Sequence, residues 1–405
     1  MGRVDSIICF TVDPWGEMKR PGQLMRRFAR RVPVLYVEAP LSITSLIKDW
    51  RSPLTRSRLR RGLSRRTHEA EPGIHVLSSL IVVPPHRLSF LPSASLVRWL
   101  ERRQQRAMFE RAHSEASRLG MSFPVVWMTM PGPLMWPRDR ESAVLVYDCM
   151  DRWSDFPDIL SDADERRLVA EQERQLLAAA DVVFCSAAGL FESKRRMVSG
   201  AIHLVRNGAD VEHFVSRGRS VPTDMVQLPR PIVGYVGAVA DWIDFELLRA
   251  VARLRPQWSF VLIGPVFKGM RMGDTTVLRP ILDVANVYLL GPRAYEEVPA
   301  YLEAFDVATI PFKLNGLTED TNPIKVYEYL AAGVPVVSTP LPEVLSLPGV
   351  GVASTAAEFV EQCEIASRVR SDADALPERV GTAVRNSWEA RAEVAWAAIS
   401  EFTGG

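Results

Sequence analysis

The chain has 405 residues, more than one ordinary domain holds, and its formal net charge of +1 supplies no general attraction to nucleic acid. A content of 47% hydrophobic and 24% charged residues is that of a globular protein with ample core. Cys9, Cys149, Cys185 and Cys363 lie far apart with no CxxC pairing, and three of them stand in apolar runs. Buried free thiols in a reducing compartment are therefore expected.

Strand-like runs alternate with helical patterns from end to end. Ile7–Val12 comes first, flanked by Asp5 and Asp13, which suits a core strand and not a signal peptide. Val32–Val37, Ile74–Val82, Pro124–Met128, Val144–Tyr147, Asp181–Cys185 and Ile202–Val205 follow. After the irregular stretch Val215–Pro231 come Pro231–Val236, Ser259–Ile263, Val287–Leu290, Val307–Ile310 and Val334–Ser338. These runs are short, β-branched and non-alternating, as in parallel sheets covered by helices on both faces. The reading is α/β, with two doubly wound domains joined near residue 220 and sites in the cleft between them. No uninterrupted apolar stretch approaches the roughly 20 residues needed to span a bilayer, so a cytoplasmic chain is expected.

Four stretches stand out along the way. The loop after the first strand, Asp13-Pro-Trp-Gly-Glu-Met-Lys-Arg-Pro-Gly-Gln23, carries Trp15, Arg20 and Gln23, a set able to stack a sugar ring and bond its hydroxyls. Arg51–Arg66 holds seven arginines and no acid. It reads either as a solvated insertion or as a basic surface for anionic lipid or a polyanionic acceptor. Leu88–Leu91 and Leu96–Trp99 then lead into Glu101–Arg106, an apolar-then-basic pattern suited to a membrane interface or to an ordinary helix packed on the sheet. After the fifth run, Tyr147-Asp-Cys-Met-Asp-Arg-Trp153 puts Asp148 and Asp151 in a βα loop, where such sheets carry chemistry. A helix over about Asp162–Ala180 follows.

The stretch from Leu317 to Ser338 reads as loop, helix, turn and buried strand. Asn322 is expected to cap a helix whose first residue is Pro323, with Ile324, Tyr327 and Leu330/Ala331 as its apolar stripe. Gly333 should end that helix and Pro335 keep it ended. Its start suits a phosphate. Asp320 and Glu328 bracket it, eight positions apart, and Glu328 lies one turn from Lys325.

These features, with Val205-Arg-Asn-Gly-Ala-Asp-Val-Glu-His-Phe214, Gly234-Tyr-Val-Gly-Ala238, Thr321-Asn-Pro-Ile-Lys-Val-Tyr-Glu-Tyr-Leu330, Ala331-Ala-Gly-Val-Pro-Val-Val-Ser338 and Ser387-Trp-Glu-Ala-Arg391, resemble the retaining, GT-B-fold glycosyltransferases of family 4. The resemblance is narrowest to bacterial teichuronic acid biosynthesis glycosyltransferases. It implies two Rossmann-like domains facing each other across a cleft: an acceptor-side domain over 1–217 and a nucleotide-sugar domain over 218–384, with a helix at about 385–405 returning to the first. It implies donor contacts at Gly237, Ala238, Arg293, Thr321, Asn322, Pro323, Ile324, Lys325 and Glu328. Glu328 would take the ribose hydroxyls and Asp320 the donor sugar. Asp151 would face the transferred sugar or acceptor, and Trp15, Arg20 and Gln23 the acceptor side. The implied partners are a nucleotide-sugar donor and a cell-surface glycan or lipid-linked acceptor.

Two departures qualify the pattern. Relatives place an Arg and a Lys just after the glycine turn, whereas Ala238-Val-Ala-Asp-Trp-Ile-Asp-Phe245 holds acids and no cation. Lys325 is the expected substitute, with Arg293 and Lys313 as alternatives. Asp320 also stands where Glu is commoner. Asp162-Ala-Asp164 and Asp372-Ala-Asp374 match the D-x-D signature of metal-dependent glycosyltransferases, but neither follows an apolar strand. With no His/Cys ligand spacing elsewhere, no metal is expected. The alternatives are a catalytically silent nucleotide-sugar-binding partner of another glycosyltransferase and a nucleotide-sugar epimerase of the same fold.

Overall fold

The computed structural model describes residues 4–42, 53–64, 67–81, 94–132, 143–153, 163–215, 218–268 and 271–404. Two sheets organise it. The first is built from β1 (Ser6–Thr11), β2 (Val34–Glu38), β3 (His68–Glu71), β4 (Ile74–Leu77), β5 (Pro124–Met128), β6 (Val144–Cys149), β7 (Val182–Cys185) and β8 (Ala201–Leu204), in the spatial order 8-7-6-5-1-2-4-3. The second holds β9 (Ile232–Val236), β10 (Ser259–Ile263), β11 (Val287–Gly291), β12 (Val307–Ile310), β13 (Val336–Ser338) and β14 (Val350–Val352), in the order 11-10-9-12-13-14. Every pairing in these two sheets is parallel except β3 with β4. In each sheet the chain winds outward one way, returns to the middle and winds out the other way. The reversal falls between β1 and β5 in the first sheet and between β9 and β12 in the second. That is where a crevice opens at the carboxyl ends of strands.

Most expected strands lie within one or two residues of their runs. The Ile74–Val82 run breaks at Ser78-Ser79 into β4 and a short piece, Leu80–Ile81, paired with Leu41–Ser42; Val82 lies outside the described residues. The edge strand β3 (His-Glu-Ala-Glu) has no apolar run to announce it. Neither does β14, with glycine at its centre. All four cysteines are buried and free.

Helices cover both faces: α1 (Arg20–Phe28), α2 (Pro53–Ser64), α3 (Ala94–Arg118), α4 (Ala163–Ala179) and α5 (Ala188–Lys194) belong to the first sheet. Then come α6 (Val211–Phe214), α7 (Phe245–Leu254), α8 (Val298–Ala304), α9 (Gly316–Glu319), α10 (Ile324–Ala331), α11 (Ala356–Arg368), α12 (Leu376–Arg385) and α13 (Trp388–Thr403). The last helix sets Trp388, Ala392, Ala395 and Ile399 into the first core beside Leu24, Phe28 and Trp127. The chain between the sheets does not float free. Ala209, Phe214 and Met225 already pack in the second core, so the irregular 218–231 stretch lies on the second domain. Among the described residues no helix is long and apolar enough to cross a membrane.

The basic segment is only partly a surface. Arg58 and Arg61 of α2 turn inward to Glu38, which is fully buried at the end of β2, at 3.4 and 3.1 Å. Arg56 and Arg60 are exposed, and Arg51, Arg65 and Arg66 lie outside the described residues. Leu88–Leu91 lies outside them too; Trp99 of α3 is exposed, with Arg103 over its ring.

The chain passes between the domains twice, and the two passages touch. Ala209 N–H donates to the Asn386 carbonyl at 3.1 Å and Trp388 N–H to the Ala209 carbonyl at 3.0 Å. A Cβ on Gly208 would stand 2.6 Å from the Asn386 oxygen, a contact that only backbone movement relieves. Gly208→Ala should therefore lower stability by about 1–3 kcal/mol. Chemical denaturation is the check, and an unchanged midpoint would refute the tight crossing.

Candidate functional site

One wall of the cleft is made by the carboxyl ends of β9 and β10. Gly237 and Gly264 have φ of +155° and +148°, which L side chains rarely adopt. A Cβ on Gly264 would lie 1.8 Å from the Gly237 carbonyl oxygen, so the two turns pack backbone on backbone. Tyr329 of α10 fastens this corner: its hydroxyl accepts from Val236 N–H at 2.8 Å and donates to the Val236 carbonyl at 3.0 Å. The helix is thereby held against the glycine turn. Lys325 follows: its Cε would be 3.2 Å from a Cβ on Gly237, and its ammonium pairs with Glu328 at 3.0 Å. Glu328 is buried beside it, not on a solvated face. Ala238 accepts a hydrogen bond from Tyr235 at 3.0 Å. A glycine corner, one ammonium and one buried carboxylate make a place where backbone can approach a phosphate and a diol can be held.

The start of α10 differs from the sequence reading. Pro323 occupies the N-cap position without a capping side chain, and Ile324 is the first helical residue. Asn322 is drawn away by the other domain. Its Oδ1 accepts from Asn207 N–H at 2.9 Å and its carbonyl from Asn207 Nδ2 at 2.6 Å. Its own amide donates to Tyr327 and to Glu343, both at 3.0 Å. Beyond an apolar stripe, Val326, Tyr327, Tyr329, Leu330 and Ala331 are all buried, so α10 is enclosed nearly all round. Gly333, at φ +68°, ends it as expected. Thr321 turns back on α9, its hydroxyl donating to Leu317 at 2.8 Å.

Asp320 ends α9 and reaches across the cleft. Its carboxylate pairs with Arg152 of the first domain and lies against Gly189, where a Cβ would come within 1.8 Å of its Oδ1. Glu343, beyond β13, does likewise: it accepts from Ala188 N–H at 2.6 Å and from Arg206 Nε at 2.7 Å. Arg152, Arg206, Asn207 and Glu343 are the site residues that the sequence reading missed. Arg152, Arg206 and Asn207 stood in quoted stretches without a role, and Glu343 carries no local signal.

The other expectations sort differently. Arg20 is buried in the first turn of α1, where Nε and a terminal nitrogen grip the fully buried Asp148 at 2.8–3.0 Å. It also donates to Arg206 O and Asn207 Oδ1, at 3.1 and 3.3 Å. It is a brace under the crossing. Trp15 is buried edge-on to Tyr36, with its faces in the first core and beneath Arg26, so it offers no open sugar platform. Gln23 is buried and donates to Tyr295 of the second domain at 3.3 Å. Arg293 is taken by Asp224 at 2.7 Å, Tyr301 at 2.6 Å and the Leu290 carbonyl at 2.6 Å. Lys313 caps the Asp241 carbonyl at 2.8 Å. Asp164 pairs with Arg167, Asp372 binds Asp374 N–H, and Asp162 lies outside the described residues. Among the described residues no group of three or more His, Cys, Asp or Glu is placed to hold a metal.

Asp151 is half-buried, and burial, with Asp13 adding repulsion and Lys19 and Arg20 opposing, pushes its carboxyl up to about 6. A raised carboxyl contributes stability in full below the unfolded value near 4 and loses it as pH rises through 6. Wild type should therefore lose stability relative to Asp151→Asn between about pH 4 and 6, then run parallel to it. Melts across that range test this, and a constant offset would refute it. Arg20→Ala should cost about 3–5 kcal/mol, because it strands Asp148 uncompensated in the interior. Denaturant unfolding measures that loss; a change in turnover alone, at unchanged stability, would return Arg20 to the acceptor side.

Comparison with known proteins adds an independent line. Residues 230–367 match the family described as glycosyl transferases group 1. A 226-residue stretch is 31% identical to the putative teichuronic acid biosynthesis glycosyltransferase TuaH of Bacillus subtilis, covering 54% of this chain and 55% of that protein. The chain thus spans about half the length of this curated relative. Sucrose-phosphate synthase from Thermosynechococcus elongatus superposes with a TM-score of 0.66 at 14% identity, over 99% of this chain and 100% of that one. An E. coli trehalose-6-phosphate structure bound with UDP-2-fluoro glucose gives 0.66 at 10% identity, over 98% and 99%. Anabaena HepE, in complex with UDP and glucose, gives 0.57 at 13%, over 98% and 99%. The glycosyl transferases group 1 match thus falls on the second sheet and the helices around it, in a chain of GT-B fold.

Proposed function

We propose that the protein is a retaining glycosyltransferase, moving a sugar from a nucleotide-sugar to a cell-surface glycan or lipid-linked acceptor. The observation that carries this is the convergence of Gly237, Lys325 and buried Glu328 inside the stretch that matches the glycosyl transferases group 1 family. The glycine corner would let backbone approach the diphosphate, and the start of α10 from Thr321 through Ile324 would lie beside it. Lys325 would neutralise part of the diphosphate charge, and no metal is proposed. Glu328 would accept the ribose hydroxyls and Asp320 would meet the donor sugar. Asp151 would face the sugar or acceptor from the first domain. UDP and a UDP-sugar analogue in two structural relatives support a uridine nucleotide as the first donor to try. Arg56, Arg60 and Leu63, exposed on α2, support a peripheral contact with an anionic membrane surface, where a lipid-linked acceptor would be found.

A second reading, a silent nucleotide-sugar-binding partner, draws on the acids that follow Gly237 where relatives carry cations. The two readings part on one experiment. Thermal stability is measured with UDP, GDP, ADP and their sugars, for wild type and Glu328→Ala. One nucleotide should stabilise wild type by about 2.7 kcal/mol at a hundredfold excess over its dissociation constant, and not the variant. No shift with any of them sinks the donor site; a shift without sugar transfer to any acceptor supports the silent partner.

A further inference from the structure

The charge that the glycine turn lacks has a source on the opposite wall. Asp320, four residues before the start of α10, is held by Arg152, which follows Asp151 in the loop after β6. The two partners are unequally placed. The carboxylate is nearly enclosed, its side chain 9% exposed against Gly189, whereas the Arg152 side chain as a whole is 37% exposed. The second-domain cations expected at the donor are all engaged. Lys325 is shared with Glu328, Arg293 is spent on Asp224, and Lys313 is held on the Asp241 carbonyl.

We propose that Arg152 is a catalytic cation delivered across the cleft, contacting the donor's diphosphate in exchange for Asp320. This deepens the nucleotide-sugar reading and rests on it. In the transfer, the bond between the anomeric carbon and the β-phosphate oxygen breaks, and its electron pair leaves with the nucleoside diphosphate. The anomeric carbon bonds the acceptor hydroxyl oxygen, whose proton passes to the diphosphate. Negative charge therefore grows on the phosphate as the bond lengthens, and a planar guanidinium with several donors meets it best. The exchange also releases the Asp320 carboxylate toward the donor sugar at the moment a phosphate arrives. An arginine from the facing domain makes that release conditional on closure, which a cation in the glycine turn would not.

The test compares wild type, Arg152→Ala, Arg152→Lys and Glu328→Ala. The nucleoside diphosphate that stabilises wild type, among UDP, GDP and ADP, is titrated calorimetrically, and sugar transfer is followed by kcat and KM. Arg152→Ala should lower kcat by about 10²–10³-fold, change the donor KM by less than tenfold, and weaken nucleoside diphosphate binding in a salt-dependent way. Arg152→Lys, which keeps the charge and guards against a folding defect in the alanine variant, should recover part of kcat. Glu328→Ala should instead lose nucleotide binding. Wild-type kcat in Arg152→Ala, or nucleoside diphosphate binding tighter than wild type, overturns the proposal, the second because Arg152 would then be an obstacle. If wild type binds none of the three nucleotides, the donor reading has failed before Arg152 is tried. If it binds one but transfers no sugar, unchanged affinity in Arg152→Ala overturns the role, and a salt-dependent weakening sustains it.

Discussion

The joint between the two domains is organised around one buried amide. Asn322 gives its acceptor oxygens to Asn207 of the first domain and its donors to Tyr327 and Glu343 of the second. At 2% exposure it has no water to fall back on, so each lost partner would leave a polar atom unsatisfied. The bonds fix where α10 begins relative to the first sheet. Everything after that point inherits the placement: Lys325 at the glycine turn, Glu328 one turn further, Tyr329 on the end of β9. Position at the domain crossing and position at the glycine corner are thus a single constraint, carried by one short helix.

The acids of the cleft follow a common rule. Asp148, Asp320, Glu328 and Glu343 are all buried, and among the described residues each pairs with a cation: Arg20, Arg152, Lys325 and Arg206. Pairing is what allows carboxylates to remain charged away from water. The pairs differ in how they could respond to a ligand. Arg20 with Asp148 is sealed and bidentate, an internal brace. Lys325, Arg152 and Arg206 each keep part of the side chain open, about a third in each case, while their carboxylates do not. An arriving polyanion would meet the partly exposed cations before their enclosed carboxylates.

Much of this was legible beforehand, and the reason is local physics. Buried parallel strands need unbroken apolar runs, so β5, β10 and β12 matched their predicted limits residue for residue. Gly237 and Gly333 are required by backbone conformation, which leaves a mark at single positions. The edge strand β3 and the short β14 lack that mark, because neither owes its place to a two-sided apolar burial. Pairing was legible where both residues stand in one element, as with Lys325 and Glu328. It was not where partners come from different domains. A helix start read alone makes Asn322 a cap; a facing Asn207 makes it a clamp. Trp15, Arg20 and Gln23 look like ligand-binding residues in a polar loop, but three-dimensional packing encloses them. Glu343 follows a proline in an unremarkable turn, and only the fold reveals that it touches α5 and Arg206.

The departure after Gly237 gains a physical sense from this arrangement. A cation in the glycine turn would sit on the same rigid body as the bound nucleotide and be present whether or not the domains met. Here two partly exposed arginines, Arg152 and Arg206, stand on the first domain and the carboxylates they pair with on the second. The charge that Arg152 and Arg206 add to that of Lys325 near the α10 start thus comes from the facing domain, and a polyanion that bound there would favour the joined arrangement by the difference in its affinity for the two. Closure in turn shortens the distance over which those charges act and removes water between them, which strengthens each interaction. The same pairs that join the domains thus carry first-domain positive charge to the side of the cleft where α10 begins.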